Sequence, residues 1–149
     1  MKISDRLQAV TRLFLDSAPV IYAVEKHPRY VDLVRVALKR LDAGALSAVT
    51  SPVTLAECLI APYRLGRADV SQTFVDLVVY GSNVTFVTID QAVAEKAAEL
   101  RARYNLLLPD SFQVAVAMLV GCDGFLTNDA ALKRVTEMDV LVLDELEPD

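Results

Sequence analysis

Residues 106–129 read LLLPDSFQVAVAMLVGCDGFLTND. Pro109 suits the first turn of a helix, where its missing N–H costs nothing. The apolar residues after it extend a helix over 109–120, and Gly121 stops it. The pattern then changes: 124–127 is a short apolar run of strand length, closed by the polar triplet Thr127-Asn128-Asp129. Within 104–122 the only charged residue is Asp110, at the helix start.

Outward from this segment the chain keeps alternating. Short apolar runs lie at 13–15, 46–49, 84–89 and 140–143. Between them, apolar residues at 31, 34, 38 and 41 mark one face of a helix over 31–41. Pro52 opens a helix through 60, 71–79 reads as another, and 91–104 has Ala and Leu on one side with Glu, Lys and Arg on the other. Strand–helix alternation with nearly continuous apolar strands defines an α/β fold: a parallel sheet covered on both faces. Ile3, Leu7 and Val10 form one side of an amphipathic lead over 1–11, and the acidic tail 144–149 is expected to fray.

The chain has 149 residues, which fits one domain over 1–149. Apolar residues make up 54% and mean hydropathy is +0.36, which excludes a disordered chain. No run is long and apolar enough to span a membrane, and the N-terminus lacks the apolar core of a signal peptide, so a cytoplasmic protein is expected. The two cysteines, Cys58 and Cys122, form no CxxC pair and read as buried thiols. Fifteen basic and twenty acidic residues give a net charge of −5, which argues against a broad nucleic-acid-binding surface but not against a local one. One histidine, His27, cannot build a His-rich metal site, and neither GxGxxG nor GxxxxGK[ST] is present.

The acids carry the functional signal. Asp16 is the only charged residue within 13–24, Glu57 within 43–63, and Asp129 within 124–132, as Asp110 is within 104–122. Asp16, Asp110 and Asp129 can each be explained as helix-start residues, by capping or by the helix dipole. Glu57 cannot, because it lies in the middle of its helix. Three of the four fall at strand ends or helix starts, where a parallel sheet places its ligand site. Clustered carboxylates repel, and a divalent cation relieves the repulsion. All-oxygen ligation suits Mg²⁺ or Mn²⁺ rather than zinc, and an ion so held serves phosphoryl chemistry.

On these residues the chain resembles a PIN-domain nuclease, and within that superfamily the VapC-type ribonuclease toxins. The matching pieces are LFLDSAPVIY at 13–22, SPVTLAECL at 51–59 and the segment 106–129. The resemblance implies a three-layer α/β/α sandwich with a mostly parallel central sheet. It implies Mg²⁺- or Mn²⁺-dependent endoribonuclease activity on RNA. Asp16, Glu57, Asp110 and Asp129 match the acidic, metal-binding site, with Thr127 as polar companion. It further implies a toxin–antitoxin pair, a cognate antitoxin and a homodimer. Two departures stand out: the lead of about ten residues, and Ala18 where the family often has Asn or Ser, which leaves Ser17 to support the acids. The rival reading is a PIN-fold interaction domain without catalysis, against which retention of all four acids counts. A dehalogenase-like phosphatase would want an acid at Ala18, and a receiver would want an acid pair before Asp16; neither is present.

Among other residues, His27 reads as an exposed loop residue, Asp90 and Asp123 as cap and turn residues, and Tyr22 and Tyr63 as core-edge packing. Arg64, Arg67, Arg101 and Arg103 read as surface charge, with phosphate contact the alternative.

Overall fold

The computed structural model describes residues 1–149. Five short strands form one sheet: β1 (Arg12–Leu15), β2 (Ser47–Thr50), β3 (Val84–Phe86), β4 (Gly124–Thr127) and β5 (Asp139–Val142). Their order is β3-β2-β1-β4-β5, and every pairing is parallel. Seven helices accompany them: α1 (Ile3–Gln8), α2 (Ser17–Glu25), α3 (Val31–Asp42), α4 (Pro52–Arg64), α5 (Ala68–Val78), α6 (Gln91–Tyr104) and α7 (Leu108–Leu119). Two 3-10 turns, Ala130–Arg134 and Leu143–Glu145, flank β5.

Side chains alternate across the sheet, as strand geometry requires. Leu13, Leu15, Ala48, Leu126 and Leu141 face a core shared with α1 to α5. Phe14, Val49 and Phe125 face a second core against α6 and α7, where the Phe14 and Phe125 rings stack with centroids 4.9 Å apart. The result is the expected α/β/α sandwich. The chain builds outward from β1 through β2 to β3, then returns to the other side of β1 with β4. The order therefore reverses between β1 and β4, and their carboxyl ends bracket the crevice where such sheets bind ligands.

The lead folds as α1, with Ile3 and Leu7 fully buried and Val10 docked onto β4. Gly124 is required there: a Cβ would lie 2.7 Å from a Val10 methyl carbon. The tail does not fray. Lys2 pairs with Glu147 in a parallel bridge, the Glu147 N–H donates to the Met1 carbonyl at 3.0 Å, and Leu146 is buried. The run 84–89 pairs only to Phe86, because Val87 and Ile89 turn to pack on the second core. The helix expected at 71–79 starts earlier, at Ala68, and the one from Pro52 continues beyond 60 to Arg64 with Pro62 buried inside it. His27 is half-buried rather than exposed, packed at a tilt against Tyr22 and Tyr30, which stack on each other, at centroid distances of 4.8 and 4.9 Å. Tyr22 is part-buried in that stack, whereas Tyr63 is 67% exposed and packs on no core. Asp90 caps α6, and Asp123 ties down the start of β1 by accepting from the Thr11 and Arg12 N–H groups. No helix is long and apolar enough to cross a membrane.

Candidate active site

Asp16 is the first residue after β1 and the N-cap of α2. Its backbone N–H still donates to the Leu126 carbonyl at 3.0 Å, which locks it to the neighbouring strand β4. Its carboxylate is buried, with 6% exposure for the residue. One oxygen accepts from the Ser17 N–H at 2.8 Å, the other from the Thr127 hydroxyl at 2.8 Å. Thr127, the last residue of β4 and fully buried, also accepts from the Asp129 N–H at 3.1 Å. One hydroxyl thus fixes both the Asp16 carboxylate and the turn that carries Asp129. Asp129 caps the 3-10 turn after β4 by accepting from the Ala131 N–H at 2.9 Å.

Glu57 comes from α4, which is oriented by a capping box at Ser51 and Thr54. Ser17 donates its hydroxyl to Glu57 at 3.0 Å, which is the supporting role expected of it. Asp110 stands in the first turn of α7, behind Pro109.

The four carboxylates act on one another. Burial pushes the Asp16 carboxyl above its ordinary value; hydrogen bonds from Thr127 and Ser17 oppose this, and the Asp129 charge adds to it. Burial also raises Glu57, against the Ser17 hydrogen bond and with the charge of Asp16. Asp110 is pushed up to about 6, by burial first and then by the charges of Asp16, Asp129 and Glu57. None of the four takes part in an ion pair. Asp16 is buried, Glu57 and Asp110 are half-buried and Asp129 is exposed; unpaired charge is costly where it is buried, so the donor set suits a cation. No three His, Cys, Asp or Glu side chains are close enough to grip an ion by themselves. Oxygen donors of this kind suit a hard cation rather than zinc, which prefers nitrogen and sulfur.

A pH dependence follows. Asp110 binds its proton more tightly when folded than when unfolded, so stability is lost as pH rises from about 4 through about 6. The rise from 3.8 to about 6 corresponds to ~3 kcal/mol in full, and solvent screening of a half-buried group leaves about half of that. About half of that is already lost by pH 5, so without metal the melting temperature should be about 1–3 °C higher near pH 5 than near pH 8. Near pH 5, Asp123 and Glu137, both held below their ordinary values, stay ionised. Thermal unfolding in EDTA checks this, and Asp110→Asn should reduce the difference, leaving the share that Asp16 and Glu57, also raised, carry in the same direction.

The site also contains residues the sequence reading left out. Ser51, Thr54 and Gln113 are fully buried polar side chains beneath the acids. Cys58, next to Glu57, is an inert thiol: burial first, then Glu57, Asp16 and Glu25, pushes it up to about 12. Cys122 is likewise buried. Arg67 pairs with Asp69 and Arg103 with Glu137, while Arg101 donates to the Leu106 carbonyl.

The PIN domain family profile matches residues 13–138, and the chain belongs to that family. The fold is shared with solved structures of low sequence identity. VapBC2 from Rickettsia felis, bound to a DNA fragment from its promoter, is 18% identical with a TM-score of 0.69, over 88% of this chain and 98% of that one. Mycobacterium tuberculosis VapC20, a toxin that cleaves the sarcin-ricin loop, is 16% identical with a TM-score of 0.66, over 85% and 98%. A toxin–antitoxin complex from Klebsiella pneumoniae is 20% identical with a TM-score of 0.61, over 85% and 98%. The sequence matches no curated protein.

Proposed function

We propose that the chain is a metal-dependent endoribonuclease, the VapC-type toxin of a toxin–antitoxin pair. The observation that carries this reading is the unpaired, buried Asp16 at the reversal point of the sheet, fixed by Thr127 and facing the charges of Glu57, Asp110 and Asp129. Asp16, Glu57, Asp110 and Asp129 would hold Mg²⁺ or Mn²⁺, directly or through water. The bound ion would activate water and neutralise charge on the phosphodiester. Ser17 and Thr127 restrain the Glu57 and Asp16 carboxylates by one hydrogen bond each. Incubation of purified protein with RNA, with and without divalent ion, tests this directly.

The charge distribution sets the manner of RNA binding. With net charge −5, seven of the fifteen Lys and Arg side chains are held in ion pairs, Arg67 and Arg103 among them. The salt slope should therefore be shallow, at about −0.7 per neutralised phosphate of a single strand. Titration at several salt concentrations checks it, and a slope equivalent to six or more contacts would reveal a basic surface not recognised here.

The partner reading rests on the mouth of the site. Between α4 and α7 an apolar cleft of about 490 Å³, lined by Val53, Ala56, Ile60, Leu108 and Phe112, opens beside Glu57. An amphipathic antitoxin helix would seat its apolar face there and offer a cation to the acids. We further propose a cytoplasmic homodimer of single-domain chains. Co-expression with the neighbouring reading frame should yield a stable, inactive complex; a harmless monomer that binds no such protein would remove the toxin assignment and leave the nuclease one.

A further inference from the structure

Gln113 lies on α7 among small apolar residues and is fully buried. Its carbonyl oxygen accepts from the Ser51 hydroxyl, and its amide nitrogen donates to the Thr54 hydroxyl at 2.8 Å. Thr54 in turn donates to the Leu15 carbonyl at 3.2 Å, on the peptide that leads into Asp16. A glutamine amide has two N–H donors. One is used on Thr54, and Asp16 is reached through the Leu15 carbonyl that the Thr54 hydroxyl holds.

The spacing gives this knot its reach. Gln113 is three residues after Asp110 on α7, and Thr54 is three residues before Glu57 on α4, so each lies one turn from an acid on its own helix. The tie thus joins the three elements that carry Asp16, Glu57 and Asp110. It is buried away from any substrate. Its partners also have other bonds: Ser51 accepts from the Val53 N–H at 3.1 Å, and Thr54 still reaches Leu15. The knot is therefore not the sole support of either helix.

We propose that Gln113 is a positioning residue, whose buried amide sets the distance between the α7, α4 and β1 carboxylates and, through Thr54, anchors the peptide that leads into Asp16. This rests on the nuclease reading for its consequence in turnover, but not for the link to Asp16.

Gln113→Met keeps the length of the side chain and removes its hydrogen bonds. Kinetics on RNA with saturating Mg²⁺ should show kcat falling about 10–100-fold, with KM unchanged, because the residue cannot touch RNA. Unchanged kcat, or a change confined to KM, would overturn the proposal. A second readout uses no activity. In EDTA near pH 8, Gln113→Met should lower the melting temperature more in the wild-type background than in Asp16→Asn, where displacing the side chain strands no buried carboxylate. Equal shifts would break the link to Asp16. If wild type cleaves no RNA, the nuclease reading falls while this cycle still decides the link. If Gln113→Met does not fold, Thr54→Val cuts the same tie from the α4 side and is read by the same two criteria.

Discussion

Asp110→Asn and Asp16→Asn should each abolish RNA cleavage while the protein stays folded. Loss of a single preorganised group that stabilises charge in a transition state costs about 10²–10³ in turnover, and a ligand to the ion itself should cost at least that much. Stability should move the other way. Asp110 is raised to about 6 because burial and three like charges disfavour its ionised form. Asparagine removes that charge and keeps the shape, so metal-free stability at neutral pH should hold or rise. For Asp16 the amide retains an acceptor for the Ser17 N–H, and the Thr127 hydroxyl can turn to accept instead of donate. Thermal unfolding and turnover measured on the same preparations separate the two effects. Wild-type turnover in Asp110→Asn under saturating Mg²⁺ would remove Asp110 from the chemistry.

Mg²⁺ or Mn²⁺ should stabilise the folded chain, because the acids gather only there. At an ion concentration of about 100 times Kd the gain is ~2.7 kcal/mol, or about 5–11 °C for a chain of this size. The gain should be larger near pH 8 than near pH 5, since Asp110, raised to about 6, must lose its proton before it can take a cation. Asp110→Asn should lose most of it. If neither ion shifts unfolding at millimolar concentration and activity survives EDTA, the carboxylates are not a metal site.

The acids were legible in the sequence because isolation is itself a signal. A lone Asp16, Glu57, Asp110 or Asp129 in an apolar segment has no local partner, and the structure pairs none of them with a cation. The parallel sheet was legible too, from apolar strand runs alternating with helical periods. The strand order was not, since nothing local tells β4 to return beside β1 rather than extend past β3. Val87 and Ile89 made 84–89 look like one strand because apolar residues that turn to pack on α6 and α7 carry the same pattern as residues that pair. The acidic tail was read as frayed on charge alone. Its backbone is held by the bridge to Lys2, the residue before α1, at the far end of the chain. Gln113, Ser51 and Thr54 escaped because an uncharged polar residue in a helix usually marks the wet face. The signal available was Gln113 between Phe112 and Val114 in a helix otherwise apolar on every side after its first turn.

The most direct test is cleavage of RNA by the purified wild-type chain with Mg²⁺, with Mn²⁺ and with EDTA, followed by restoration of the ion to the chelated sample. The site described here predicts cleavage with either ion, none in EDTA, and recovery on re-addition. Cleavage that continues in EDTA, or none under any condition from a folded preparation, would contradict it.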